Sequence, residues 1–150
     1  MSVQMPRPGF QGTIGILGSG QLGKMLLPIA HRWALDVATM DPSPGAPARA
    51  LAQRFVVDDF TDRDAVLRFG RSVDLLTYEI ESVNVEALHI LAEEGRIVRP
   101  APRILGIIQD KRHQKQFFAD SGLPTLPFTL ADSGAALRDS PPQMLSLIHI

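Results

Sequence analysis

The sequence has no cysteine. That excludes a disulfide-stapled scaffold and any metal site built on thiolates. It also lacks a charge excess: fifteen Lys and Arg stand against sixteen Asp and Glu, a formal net charge of -1. A nucleic-acid protein leaves a basic footprint, and none is present. No apolar run approaches the roughly 20 residues that cross a bilayer as a helix. The first ten residues hold one Arg, two Pro and no apolar centre, so they do not read as a secretory signal, and the expected location is the cytoplasm. What is present is ordinary for a folded protein: 45% hydrophobic and 21% charged residues over 150 positions. A chain of this size can bury about 68–70% of its unfolded surface.

Periodicity divides the chain. Residues 1–12 carry Pro6, Pro8, Gly9 and Gly12 with no period and read as a flexible tail. Thr13 to Leu17 is an apolar run closed by Gly18, the pattern of a buried strand. Leu22, Met25, Leu26, Ile29 and Trp33 follow with the spacing of one helix face, interrupted by Pro28. A proline there removes a hydrogen bond and costs about 3 kcal/mol or a kink. Further strands are expected at 35–40, 55–57, 73–78 and 97–98. Helices are expected over 61–69, with Thr61 as cap, and over 85–94, with Asn84 as cap and Gly95 as stop.

Strands alternating with helices over short connections give the expected fold class: α/β, a Rossmann-like parallel sheet with helices on both faces. Such sheets bind ligands beyond the carboxyl ends of their strands, where the strand order reverses. The expected domain is 13–100. A short apolar helix over 102–108 and a charged helix over 110–121 follow. The character thus changes over 101–128, and 129–150 read as a weakly periodic tail.

The segment Gly18-Ser19-Gly20-Gln21-Leu22-Gly23 has G-x-G-x-x-G spacing between a strand and a helix. Gly18 permits the tight turn, Gly20 lets backbone approach an anion, and Gly23 permits close helix–strand packing. The N–H groups that open the helix face the ligand. The bland alternative is a strand–helix turn with no ligand. Gly18 to Lys24 also fits a P-loop, but Met25 stands where Ser or Thr would ligate Mg²⁺, and a thioether cannot replace a hard oxygen ligand. A dinucleotide fold remains open, an NAD(P)-binding oxidoreductase domain with Asp41 as ribose acceptor. Asp41 before Pro42-Ser43-Pro44 also reads as a plain turn.

Two carboxylates, Glu79 and Glu81, close the fourth strand. If strand geometry persists they point to the same side and suit a substrate amine or ribose hydroxyls; otherwise they are solvated loop acids. The late helix opens with Asp110, Lys111, Arg112 and Lys115, either a capped, solvated face or a cation, Lys111, for a nucleotide. His31, His89, His113 and His149 show no metal-ligand spacing.

In order, GSGQLGKM after a strand, MDPSPGAPA, TYEIESV, VRPAP and QDKRHQKQFFADSGLPTLPF resemble the 5-(carboxyamino)imidazole ribonucleotide synthase family, ATP-grasp ligases of purine biosynthesis. The resemblance runs from Thr13 to Phe128. It implies a Rossmann-like pre-ATP-grasp domain and the start of an ATP-grasp domain. It also implies carboxylation of 5-aminoimidazole ribonucleotide with ATP, bicarbonate and Mg²⁺, in a homodimer, without nucleic-acid or membrane partners. By resemblance, Gly20, Gln21, Leu22, Gly23 and Glu79 bind the ribonucleotide and Lys111 contacts ATP. The family's ATP-cradling Lys, second glycine-rich loop and Mg²⁺-binding acids are not recognisable after Phe128, and Leu145–Ile150 departs from family sequence. The expectation is an N-terminal fragment that does not catalyse the reaction alone, with no catalytic or metal-binding residue of its own.

Overall fold

The computed structural model describes residues 10–128. Most of the tail expected over 1–12, and all of 129–150, lie outside the described residues. Contacts divide the chain into two compact units, residues 1–109 and 110–150.

The first unit alternates strand and helix: β1 (Thr13–Leu17), α1 (Gln21–Arg32), β2 (Asp36–Asp41), β3 (Arg54–Val57), α2 (Arg63–Arg71), β4 (Leu75–Tyr78), α3 (Val85–Glu93), β5 (Ile97–Val98) and α4 (Pro102–Gln109). The five strands form one sheet in the order β3-β2-β1-β4-β5, and every pair is parallel. The chain runs outward from β1 through β2 to β3, then restarts on the other side of β1 with β4. The order therefore reverses between β1 and β4, which fixes the place where a ligand crevice opens.

Alternation along the strands feeds two cores, one on each face. Leu17, Ala38, Met40 and Leu76 join Val66, Phe69, Leu88, Leu91 and Leu105 in the larger. Fully burying each Leu, Val, Met or Phe side chain of this set contributes about 1.5–3 kcal/mol. Ile16, Val37, Leu27 and Ala48 form the smaller, flanked by Ile14, Ala30, Leu35, Leu51 and Ala52. Gly15 is required on the larger side, because a Cβ there would lie 2.8 Å from Val73 and 3.0 Å from Phe69.

Three sequence expectations change. The apolar stripe of α1 is not the face laid on the sheet: only Gly23 and Leu27 are buried, while Leu22, Met25, Leu26, Ile29 and Trp33 are 45–61% exposed. Pro28 sits inside α1 as expected, and the helix continues to Arg32. The cap of α2 is Asp62, whose Oδ1 accepts from Ala65 N–H at 2.7 Å; Thr61 instead bonds Asp59. The boundary expected after residue 100 falls one helix later. Leu105 is buried in the larger core, and Gln109 Nε2 donates to the carbonyls of Glu81 and Val83, both at 2.7 Å, so α4 belongs to the first unit. Asn84 caps α3 as expected, accepting from Ala87 N–H at 2.9 Å, and Gly95 follows at φ +83°.

In the second unit, α5 (Lys111–Asp120) is capped by Asp110, whose Oδ1 accepts from Arg112 N–H at 2.7 Å. Those backbone bonds hold the Asp110 carboxyl below its ordinary pKa. Lys115 Nζ donates to Thr125 Oγ1 at 2.8 Å and stands over the Phe128 ring.

Candidate functional site

The glycine loop leaves the carboxyl end of β1 at the reversal point. Gly18 takes φ +98°, a left-handed conformation that favours glycine, and its N–H donates to Met40 carbonyl at 2.9 Å. Ser19 N–H donates to Asp41 Oδ2 at 2.9 Å, and Ser19 carbonyl accepts from Ala48 N–H at 3.0 Å. Gly20 caps α1 without any side-chain bond. The close approach that Gly23 permits is to backbone: a Cβ there would lie 3.1 Å from Gly18 carbonyl oxygen.

Two carboxylates brace this loop from neighbouring strands. Asp41, at the end of β2, accepts Ser19 N–H on Oδ2 and Ser43 N–H on Oδ1, both at 2.9 Å. Glu79, just past β4, is half-buried and accepts Gly20 N–H on Oε1 at 3.2 Å, while its own N–H donates to Leu17 carbonyl. A side chain on Gly18 would collide with Glu79, its Cβ lying 2.8 Å from Cγ. The helix dipole and the open N–H groups favour a carboxylate at this place.

Gln21, Leu22 and Gly23 N–H have no acceptor among the described residues, since the helix can satisfy only N–H groups from Lys24 onward. The site therefore presents three backbone donors beside a carboxylate with one oxygen in use. Gly20 N–H, expected to be open to an anion, is already occupied by Glu79. An anion placed on that donor would meet a like charge, so the arrangement suits a ligand that donates to Glu79 and accepts from the α1 backbone.

Glu81 does not pair with Glu79. The strand ends at Tyr78, the chain bends at Glu79 and Ile80 and turns at Glu81, and the period-two geometry needed to align the two carboxylates is lost. Glu81 is exposed. Tyr78, which precedes the site, donates through its hydroxyl to Pro100 carbonyl at 3.3 Å, and burial raises its pKa above 10.0. Ser19 and Thr39 carry buried hydroxyls with no hydrogen-bond partner among the described residues. Lys111 belongs to the second unit, where Nζ lies 3.3 Å from Gln114 Oε1.

Residues 11–109 match the family described as the ribonucleotide synthetase preATP-grasp domain. This chain belongs to that family. It is 40% identical over 131 residues to N5-carboxyaminoimidazole ribonucleotide synthase of Brucella melitensis, covering 87% of this chain and 35% of that protein. Among solved structures, N5-carboxyaminoimidazole ribonucleotide synthetase of Thermotoga maritima superposes with a TM-score of 0.76 at 36% identity, covering 82% of this chain and 34% of that one. The Aspergillus clavatus enzyme, solved with ADP and 5-aminoimidazole ribonucleotide, superposes at 0.75 with 30% identity over 85% of this chain and 35% of that one. The chain thus spans about a third of the length of the relatives it matches.

The preATP-grasp match accords with the sheet and with the resemblance stated above, and it disfavours the oxidoreductase reading. Asp41 accepts Ser19 N–H and Ser43 N–H, one on each oxygen, so it already has a structural role at the end of β2. What the sequence did not disclose is that Asp41 braces the loop. The available signal was Asp-Pro-Ser at the end of a strand, where an Asx turn is expected.

The resemblance implies Mg²⁺. Among the described residues no three His, Asp or Glu side chains converge as metal ligands. Asp41 and Glu79 hold backbone N–H groups of the glycine loop and stand at the ends of different strands. These residues do not fit the ion.

Proposed function

We propose that this chain supplies the ribonucleotide-binding part of a ligase that carboxylates 5-aminoimidazole ribonucleotide at the expense of ATP, with bicarbonate as the carbon source. The observation that carries the reading is the Gly20 N–H to Glu79 bond at the β1/β4 reversal, beside three backbone donors with no acceptor among the described residues. A ribonucleotide offers complementary groups: hydroxyl or amine hydrogens for Glu79, and oxygens for Gln21, Leu22 and Gly23 N–H. The relatives' names and the ligands of the Aspergillus clavatus structure support the substrate.

In the reaction so implied, ATP phosphorylates bicarbonate to carboxyphosphate. The exocyclic amine then attacks its carboxyl carbon, and phosphate leaves as the nitrogen gives up a proton. This chain's share is to hold the ribonucleotide so that its amine is presented, with water displaced from the α1 amino terminus. Lys111 is assigned as a cation for ATP phosphate, a role its exposed ammonium suits. The domain assignment follows: 13–109 binds ribonucleotide, α5 leads toward the ATP-binding portion, and the working enzyme is a cytoplasmic homodimer.

Titration calorimetry with 5-aminoimidazole ribonucleotide tests the site. Loss of a hydrogen bond to a charged group is worth about 1.5–3 kcal/mol, so Glu79→Ala is expected to weaken binding by roughly 10- to 150-fold. Gln21→Ala, which keeps the backbone donor, is expected to have a smaller effect. Equal binding by the parent chain and both variants overturns the assignment.

A further inference from the structure

Past β4 the chain forms no regular element until α3, and Glu79 opens that stretch. Its start is tied to the sheet, since Glu79 N–H donates to Leu17 carbonyl at 3.1 Å. Its end is tied by Asn84, whose N–H donates to Phe60 carbonyl at 2.9 Å. Between these points a single side chain holds the backbone. Gln109 Nε2 donates to the carbonyls of Glu81 and Val83, both at 2.7 Å. An amide nitrogen carries two hydrogens, so each carbonyl takes one. Among the described residues these are the only hydrogen bonds that reach residues 80–83. Gln109 is itself well founded. It ends α4, and Leu105, four residues earlier on the same helix face, is buried in the larger core.

We propose that Gln109 is a positioning residue for the ribonucleotide site: its amide sets the course of the loop after β4 and thereby the place of the Glu79 carboxylate. The inference rests on the reading of Glu79 as a ribonucleotide ligand and adds what aims it. The chain bends at Glu79 and Ile80 and turns at Glu81, so no strand ladder steadies the loop there. The bond at stake has little slack. Glu79 Oε1 lies 3.2 Å from Gly20 N, the long end of the hydrogen-bond range, and a further drift of about 0.4 Å breaks it. Gln109→Glu keeps size and shape but sets carboxylate oxygen against two carbonyl oxygens, so the loop must move away.

Amide NMR of the ligand-free 150-residue chain follows the Gly20 resonance, and titration calorimetry follows 5-aminoimidazole ribonucleotide. Gln109→Glu is compared with the parent, with Gln109→Met and with Gln109→Lys. Gln109→Met removes both donors without adding charge, and it carries the comparison if Gln109→Glu does not fold. Gln109→Lys restores a donor long enough to reach the carbonyls. The Gly20 resonance is expected to move in the first two variants and to return toward the parent position in Gln109→Lys. Ribonucleotide binding is expected to weaken about tenfold in Gln109→Met, the low end of the loss expected for the Glu79 bond itself. Adding Gln109→Met to Glu79→Ala is expected to cost no further affinity, because the effect runs through Glu79. A lower thermal melt with an unmoved Gly20 resonance overturns the proposal. So does an equal loss of affinity with and without Glu79. If the parent chain binds no ribonucleotide, the substrate reading fails, and the ligand-free Gly20 resonance still decides whether Gln109 aims Glu79.

Discussion

Asp41 offers the sharpest test of how the glycine loop is held. Its two oxygens accept Ser19 N–H and Ser43 N–H, both at 2.9 Å, so one side chain ties the loop after β1 to the turn after β2. Hydrogen bonds to a charged acceptor are worth about 1.5–3 kcal/mol each when buried, and the Ser43 bond is exposed and falls below that range. Asp41→Ala removes both and is expected to destabilise the first unit by about 2–3 kcal/mol. For a domain near 100 residues, each kcal/mol moves Tm by about 4–8 °C, so a fall of roughly 10–20 °C is expected. Asp41→Asn keeps one acceptor oxygen and is expected to lose less than half as much. Differential scanning calorimetry of the three proteins reads the series. If Asp41→Ala melts with the parent, the brace is not structural. If it melts with the parent and abolishes NADH binding, the dinucleotide reading returns.

Thr39 is fully buried on β2 and its hydroxyl has no partner among the described residues. An unmade buried hydrogen bond costs about 1–3 kcal/mol, so Thr39→Val is expected to raise Tm, and a fall in Tm contradicts that account. Stability is also expected to fall in acid. Arg68 holds the Asp58 carboxyl below its ordinary pKa, and Arg71, through paired bonds to Glu94, does the same there. Carboxyls depressed in the folded state stabilise it above their unfolded pKa, near 4, and lose that contribution as pH falls through the folded value. Urea melts at pH 7 and pH 3 measure the loss. Asp58→Asn and Glu94→Gln are expected to flatten the pH dependence, and an unchanged slope refutes the assignment.

Local chemistry was legible in the sequence and long-range chemistry was not. Gly18 and Gly23 act through their own backbone, so the G-x-G-x-x-G spacing announces the turn and the close packing. Asn84 and Asp110 cap helices that begin beside them. The bond from Gly20 N–H to Glu79 joins residues 59 apart, and it depends on β4 pairing with β1, which no spacing encodes. The same holds for Asp41, which reaches the loop because β2 is the other neighbour of β1. Glu79 and Glu81 were paired on the assumption that β4 continues, but the strand stops at Tyr78. The stripe on α1 marked an apolar face correctly without saying what covers it. Small residues, Gly23 and Ala30, let the helix approach the sheet on another side. Thr61 and Asp62 both suit a cap, and Asp59 settles the choice by engaging Thr61.

The central claim is that a ribonucleotide sits on the first turn of α1 beside Glu79. Backbone amide NMR of the 150-residue chain, titrated with 5-aminoimidazole ribonucleotide, tests it most directly. The account predicts that the largest shifts fall on Gln21, Leu22 and Gly23, with a change at Gly20 as Glu79 divides its oxygens between loop and ligand. Saturable binding whose shifts leave these four amides unmoved would contradict it.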